Sequence, residues 1–146
     1  MSGNRVTIYK TAAKAVKAFT DVEAFLDNAG LDPLLCHLIK LRVSQINGCA
    51  FCVNMHIREA REDNESEARL DHLVVWRHVD DYTPAERAAL AWAEALTTRG
   101  TGENLTALHR DLADHFSQEH IDAITLVVVM INTWNRMQIA LHNEQF

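Results

Sequence analysis

The sequence feature that most restricts the fold is the Asn47-Gly48 pair, which predicts a tight turn between two helical segments. Before the pair, residues 33–46 carry apolar side chains on most sides of a predicted helix. Directly after it comes Cys49-Ala50-Phe51-Cys52, followed by His56. Two helices joined by so short a turn must pack as a hairpin or cross at a steep angle.

The residues after the turn have the spacing of a redox site. If the chain is helical from Gly48 onward, His56 lies within about 20° of Cys49 and about 40° of Cys52 around the helix axis. We expect Asn47 to be the N-cap, which places both sulfurs in the first turn, near unpaired N–H groups and the positive end of the helix dipole. That setting favours the reactive thiolate over the thiol. The pattern therefore predicts a redox-active pair of cysteines beside an imidazole.

Apolar residues recur at spacings of three and four along the rest of the chain, which predicts an all-α fold. Only 5 Gly and 2 Pro occur in 146 residues, too few for a loop-rich all-β fold or a disordered chain. We expect one compact domain over residues 1–146 with about seven helices. Their expected ranges are 9–28, 33–47, 48–62, 66–78, 84–99, 104–116 and 118–142.

Two helix starts have strong sequence signals. Thr83-Pro84-Ala85-Glu86 combines an N-cap, a first-turn proline and a glutamate that can complete a capping box. Ser117 is the expected cap of the last helix, which is apolar almost all round from Ile121 to Ile131. A helix of that kind is buried on several sides, by its own domain or by another subunit.

Charge and composition limit the setting in which the chain works. The net charge of −6 argues against a nucleic-acid partner or an anionic membrane surface. Residues 1–10 lack the apolar stretch of a signal peptide, and the longest apolar run, residues 123–131, is far shorter than the ~20 residues that span a bilayer. Three cysteines do not make a secreted disulfide framework. We expect a soluble cytoplasmic protein.

The remaining cysteine, histidines and two tryptophans do not form a second pattern. Cys36 lies on the apolar helix and is expected to be a small buried side chain. Trp76 and Trp92 are expected in the core or at an interface. The other histidines are expected on solvated helix faces: His72, His78, His109, His115 and His120.

Residues 38–52 together with His56 resemble the core of the alkylhydroperoxidase D-like proteins of the carboxymuconolactone decarboxylase superfamily. The similarity extends through residues 76–77, 82–87 and 131–136, and so covers roughly residues 34–141. The resemblance implies an all-α fold that assembles into trimers or hexamers. It also implies a disulfide-based hydroperoxidase that uses neither metal nor haem.

The resemblance further implies roles for the site residues. Cys52 attacks the peroxide and becomes a sulfenic acid, and Cys49 condenses with it to form the disulfide. A thiol donor, such as a dihydrolipoyl group or a thioredoxin-like protein, resets the pair. His56 belongs to a proton relay with a glutamate twelve residues before the first cysteine. Helix geometry alone gives the dipole advantage to Cys49, whereas closeness to His56 favours Cys52 as the attacking thiol.

The chain departs from the family pattern at the relay. The position of the glutamate is occupied by His37, which cannot supply a negative charge. A neutral His37 can still shuttle protons, and a protonated one would lower a nearby thiol pKa but repel a protonated His56. Phe51 also stands where some members carry a histidine. The expected catalytic set is Cys52, Cys49, His56 and His37.

Three alternatives stay open on the sequence. His37, Cys49, Cys52 and His56 form a two-Cys, two-His set that zinc accepts. The thiols can instead serve a disulfide carrier or redox sensor without peroxide turnover. The other branch of the superfamily decarboxylates a muconolactone-type acid, but that chemistry does not centre on a cysteine pair.

Overall fold

The computed structural model describes residues 4–100 and 102–141. Within these residues the chain forms eight α-helices and one 3-10 helix, with no strand, which confirms the all-α prediction. The elements in chain order are α1 (Ile8–Thr11), α2 (Ala13–Asp27), α3 (Pro33–Asn47), α4 (Ala50–Glu62), α5 (Glu67–His72), the 3-10 helix (Leu73–His78), α6 (Pro84–Thr97), α7 (Leu105–Ala113) and α8 (Gln118–Leu141).

Two segments expected to be single helices are each divided. The first is broken at Ala12, whose backbone leaves the helical region at φ −128° and ψ 39°, so that α1 and α2 are separate. The segment after Ser66 starts as α5 and continues as the 3-10 helix, with Val75 at φ −120° and ψ 26°. Val74 and Val75 are β-branched and stiff at χ1, which weakens a regular helix at this point. The expected last helix residue, His142, lies outside the described residues.

The helix α3 is the centre of the fold, and it packs against α4, α6, α8 and the 3-10 helix. Ile39 and Val43 belong to a core cluster shared with α2, α6, α7 and α8. Leu38 and Leu41 belong to a second cluster shared with α4, α5, the 3-10 helix and α6. The burial of both faces explains why the sequence of α3 has almost no polar face.

The predicted helix caps are present at α6 and α8. The Thr83 hydroxyl accepts a hydrogen bond from the N–H of Glu86 at 3.2 Å, and the Glu86 carboxylate accepts one from the N–H of Thr83 at 2.9 Å. The Ser117 hydroxyl accepts from the N–H of His120 at 3.2 Å. These bonds satisfy N–H groups that a helix leaves unpaired at its start.

A partly buried carboxylate holds the 3-10 helix against α3 and α6. Glu94 accepts hydrogen bonds from Arg42 Nε at 2.7 Å and Trp76 Nε1 at 2.8 Å, and a further bond from Arg77. Burial opposes ionisation of Glu94, but the three donors hold its pKa below the usual value. Trp76 is buried, as expected, and Trp92 is partly buried against the main core cluster.

The helix α8 is the one helix of the described residues that is long and apolar enough to cross a membrane, judged by length and composition alone. The longest apolar run, residues 123–131, did not identify α8 as such a helix, because polar residues divide its sequence into shorter apolar runs. Its residues Ile124, Val127 and Ile131 are buried in the main core cluster, as in the central helix of a folded core. Its residues Leu126 and Val129 are exposed.

Asparagine side chains tie the turn between α3 and α4 to α8. Asn47, the last residue of α3, donates from Nδ2 to Asn132 Oδ1 at 2.9 Å and to Asn135 Oδ1 at 3.0 Å. Asn135 is fully buried and donates to Ser44 Oγ at 3.0 Å. Asn132 in turn donates to Thr97 Oγ1 at 3.1 Å. The turn is therefore held by side chains of α8 as well as by its own backbone.

We expect Asn135→Ala to lower the free energy of unfolding by about 1–3 kcal/mol, because it removes a hydrogen-bond partner from the buried hydroxyl of Ser44 and from the partly buried amide of Asn47. Denaturant titration followed by far-UV circular dichroism measures the change. The matched control is Asn54→Ala, at an exposed position of α4, which should change the free energy by no more than about 0.5 kcal/mol. Equal effects of the two substitutions would show that the asparagine network does not stabilise the fold.

Candidate redox site

The turn before the cysteines is closed by Gly48, which lies in the left-handed region at φ 70° and ψ 31°. Its N–H donates to the carbonyl of Gln45 at 3.2 Å, and the N–H of Cys49 donates to the carbonyl of Ser44 at 3.1 Å. A Cβ added at Gly48 would meet no atom within 4 Å, so the backbone conformation, not lack of space, favours glycine here.

The prediction that Asn47 caps the cysteine helix is wrong. Asn47 is the last helical residue of α3, and Gly48 is the C-cap that follows it. The N-cap of α4 is Cys49, whose Sγ accepts a hydrogen bond from the N–H of Cys52 at 3.3 Å. Both sulfurs nevertheless lie at the N-terminal end of α4, where the helix dipole favours a thiolate.

Cys49 and Cys52 are joined by a disulfide, with their Cα atoms 5.3 Å apart. The two residues are almost completely buried, at 3% and 1% exposure. The structure is therefore that of the oxidised protein, and the two sulfurs can form a disulfide within one helical turn. Cys36 is a free, partly buried cysteine, and burial raises the pKa of its thiol.

His56 lies one turn after Cys52 on α4 and is buried, at 5% exposure. Its Nδ1 lies 3.3 Å from a carboxylate oxygen of Glu59. Burial, then the positive charge of Lys40 and then that of His37 when it is protonated, lower the pKa of His56 to about 3. The ring is therefore neutral near pH 7, and its bond to Glu59 makes Nδ1 the protonated nitrogen. The other nitrogen, Nε2, carries a lone pair and is buried without a hydrogen-bond partner.

His37 lies on α3 and pairs with a residue that the sequence did not single out. Its Nε2 lies 2.6 Å from Oδ2 of Asp63, the C-cap residue of α4. Its Nδ1 is buried. The two residues are 26 positions apart in the sequence. Only the packing of α3 against α4 brings them together, so no local spacing could have revealed the pair.

A cleft of about 200 Å³ opens beside this pair. Leu26, Leu31 and Val127 form part of its apolar lining, while His37, Lys40 and Asp63 contribute polar groups. The cleft therefore gives the His37–Asp63 pair a path to solvent.

The zinc alternative is not supported by the positions of its four residues. Among residues 4–100 and 102–141, no three His, Cys, Asp or Glu side chains are arranged to hold a metal ion. Cys49 and Cys52 are joined by the disulfide, and Nε2 of His37 is hydrogen-bonded to Asp63, so these atoms already have other partners.

The other histidines lie apart from the cysteine pair. His72 pairs with Asp81, and the ring of His109 lies 6.4 Å from that of Trp92. His78 and His115 are exposed, while His109 and His120 are partly buried.

Comparison with known proteins places this site in a family. The sequence model of the carboxymuconolactone decarboxylase family matches residues 11–95. The uncharacterized protein YdfG of Bacillus subtilis is 36% identical over 140 residues, which are 96% of this chain and 95% of YdfG.

Two solved structures agree with that assignment. A protein of unknown function from Agrobacterium tumefaciens, described as a candidate antioxidant defence protein AhpD, is 40% identical with a TM-score of 0.90, over 98% of each chain. An uncharacterized peroxidase-related protein from Silicibacter is 26% identical with a TM-score of 0.77, over 88% of this chain and 69% of its own. The chain belongs to the carboxymuconolactone decarboxylase family and is one of its alkylhydroperoxidase D-like members.

Proposed function

We propose that the protein is a disulfide-based hydroperoxide reductase of the antioxidant type. The observation that carries the proposal is the Cys49–Cys52 disulfide at the start of α4, with the buried His56 one turn further along the same helix. Thiolate, resolving thiol and base are the three groups that peroxide reduction by cysteine requires.

The proposed reaction starts from the reduced pair. The thiol of Cys52 gives its proton to Nε2 of His56, and the thiolate attacks one oxygen of the hydroperoxide. The O–O bond breaks, Cys52 becomes a sulfenic acid, and the released alkoxide takes up a proton to leave as an alcohol. Cys49 then attacks the sulfenic sulfur, and water leaves. In sum, two thiols and one hydroperoxide give one disulfide, one alcohol and one water.

The geometry supports different tasks for the two cysteines. Cys52 is the cysteine nearer in sequence to His56, so the base serves Cys52 in the proposal. Cys49 is the N-cap, and its sulfur accepts the N–H of Cys52. A hydrogen bond of this kind stabilises a thiolate, which suits Cys49 to condense with the sulfenic acid. The decarboxylase activity of the wider family is not proposed, because that reaction gives Cys49 and Cys52 no role.

A disulfide carrier or redox sensor is the second candidate. The observation that favours it is the burial of both sulfurs, at 3% and 1% exposure, together with His37 in the place of the family's glutamate. In that case the pair exchanges electrons with other thiols and does not turn over peroxide.

The proposal extends to the setting of the reaction. The reductant is a dihydrolipoyl group or a thioredoxin-like protein, and the enzyme works as a cytoplasmic homo-oligomer, a trimer or hexamer, in which each chain is one domain. The exposed apolar residues Leu126 and Val129 of α8 support an interface with another copy. Neither nucleic acid nor membrane takes part.

We expect an organic hydroperoxide to convert the reduced protein to the Cys49–Cys52 disulfide at least about tenfold faster than it oxidises free cysteine, a barrier difference of ~1.4 kcal/mol. Rapid alkylation followed by intact mass spectrometry measures the rate. The matched control is Cys36→Ser, which should keep the full rate, whereas Cys52→Ser should lose it. A rate no higher than that of free cysteine, with exchange against dihydrolipoamide intact, would favour the carrier function.

Trapping of the intermediate identifies the attacking cysteine. In Cys49→Ser the sulfenic acid has no resolving thiol, so dimedone should label Cys52 in proportion to the peroxide added. Cys52→Ser should give little labelled protein. Peptide mass spectrometry locates the label, and labelling of Cys49 in Cys52→Ser at the same rate would reverse the two assignments.

The neutral state of His56 predicts acid sensitivity of the oxidised protein. The pKa of His56 is about 3 in the folded chain against 6.5 as the ordinary value, so the unfolded chain binds the extra proton as pH falls below 6.5. Stability is therefore lost toward low pH, by about 1 kcal/mol between about pH 7.5 and 5.5. Urea denaturation at both pH values should show that loss in the wild type and a smaller loss in His56→Asn. The control His78→Asn, at an exposed position, should behave like the wild type.

A further inference from the structure

The fold supplies a carboxylate at the place where the sequence lacks one. The glutamate that the family relay uses is replaced by His37, but Oδ2 of Asp63 lies 2.6 Å from Nε2 of that histidine. A neutral imidazole beside an ionised carboxylate carries the same total charge as one ionised glutamate. The two residues together can therefore do what a single glutamate does.

Two buried ring nitrogens of the described residues are free to carry a proton between the cysteines and this pair. Within the described residues, the buried side-chain nitrogen or oxygen atoms without a hydrogen-bond partner are Nδ1 of His37 and Nε2 of His56. An unpaired buried polar atom destabilises the folded state, so its presence calls for a physical reason. Each ring already uses its other nitrogen, on Asp63 and Glu59 respectively. The free nitrogens are the ones available to receive or pass a proton.

The two rings lie on neighbouring helices. The helices α3 and α4 pack together, and the charge of His37 contributes to the low pKa of His56. Lys40 on α3 acts in the same direction, and Glu59 on α4 is the carboxylate bonded to His56. A proton accepted by His56 is not retained there, so a second acceptor is required for the thiol to remain ionised.

We propose that Asp63 is a positioning residue of the relay, and that the His37–Asp63 pair replaces the family's glutamate as the acceptor beyond His56. This inference rests on the proposed peroxidase function. The proton leaves the Cys52 thiol for Nε2 of His56 and passes to Nδ1 of His37, whose Nε2 proton is then shared with Asp63. In the next step the relay returns one proton to the alkoxide, so that no net proton is gained or lost.

The position of Asp63 suits this task. Its side chain is 52% exposed and lines the cleft that also contains His37, so the pair can exchange its proton with solvent. The other ionisable groups that line the cleft are the Cys36 thiol, Lys40 and Asp27. Asp27 lies in the same cleft, and the described hydrogen bonds of His37 do not include it. It is therefore the matched control for the charge of Asp63.

The experiment is a double-mutant cycle on the rate of peroxide-driven disulfide formation. We expect Asp63→Asn to lower the rate at least about tenfold. A group that itself transfers the proton typically contributes ~10²-fold or more, and a positioning residue is expected to contribute less. In a His37→Glu background the glutamate supplies the charge directly, so adding Asp63→Asn should change the rate less than about twofold. Asp27→Asn should leave the wild-type rate unchanged.

The His37→Glu background separates a relay role from a structural one, because the packing of Asp63 does not depend on which acceptor stands at position 37. An equal loss of rate from Asp63→Asn in both backgrounds would overturn the relay and leave the peroxidase in place, as would a full rate in Asp63→Asn. A wild-type rate equal to that of free cysteine would overturn both proposals.

Discussion

The tether between the Asn47 side chain and α8 fixes the part of the chain on which the site depends. Gly48 ends α3, but the direction in which the chain leaves it is held by bonds from Asn47 to Asn132 and Asn135. Because Asn135 is fully buried and also bonded to Ser44, the turn cannot shift without leaving buried polar groups unpaired. Cys49 is the first residue after this fixed turn, so the turn places Cys49 at the N-cap of α4.

Burial gives the site its electrostatic character. A histidine at the surface would be partly protonated near neutral pH, whereas His56 is held neutral among helix side chains that exclude water. A neutral imidazole can take a proton from a thiol, but the same burial prevents it from keeping that proton. In the proposed mechanism, the low pKa of His56 therefore makes the surrounding acceptors as important as the base itself.

Much of the fold and part of the site could be predicted from the sequence, for identifiable reasons. Helical rotation predicted that His56 lies one turn after Cys52, which α4 confirms, whereas Cys49 precedes the helix as its N-cap. Pro33 and Thr83 marked helix starts that the structure confirms. The cap of α4 was predicted wrongly because asparagine and glycine types indicate a turn but not the residue after which α3 ends. Asp63 was missed because its meeting with His37 depends on how two helices pack, which no short spacing records.

In the proposed relay a histidine and an aspartate take the place of one glutamate, and this changes where the charge lies. A glutamate on α3 would carry the proton acceptor and the negative charge in one side chain. Here the acceptor nitrogen stays buried on α3, while the charge moves to the end of α4, where it is half exposed. Placing the charge near solvent reduces the cost of burying a carboxylate and leaves an imidazole, which conducts protons through two nitrogens, inside the protein. In the proposed relay, His37 thus conducts the proton while Asp63 holds the charge, and the relay depends on the packing of α3 against α4.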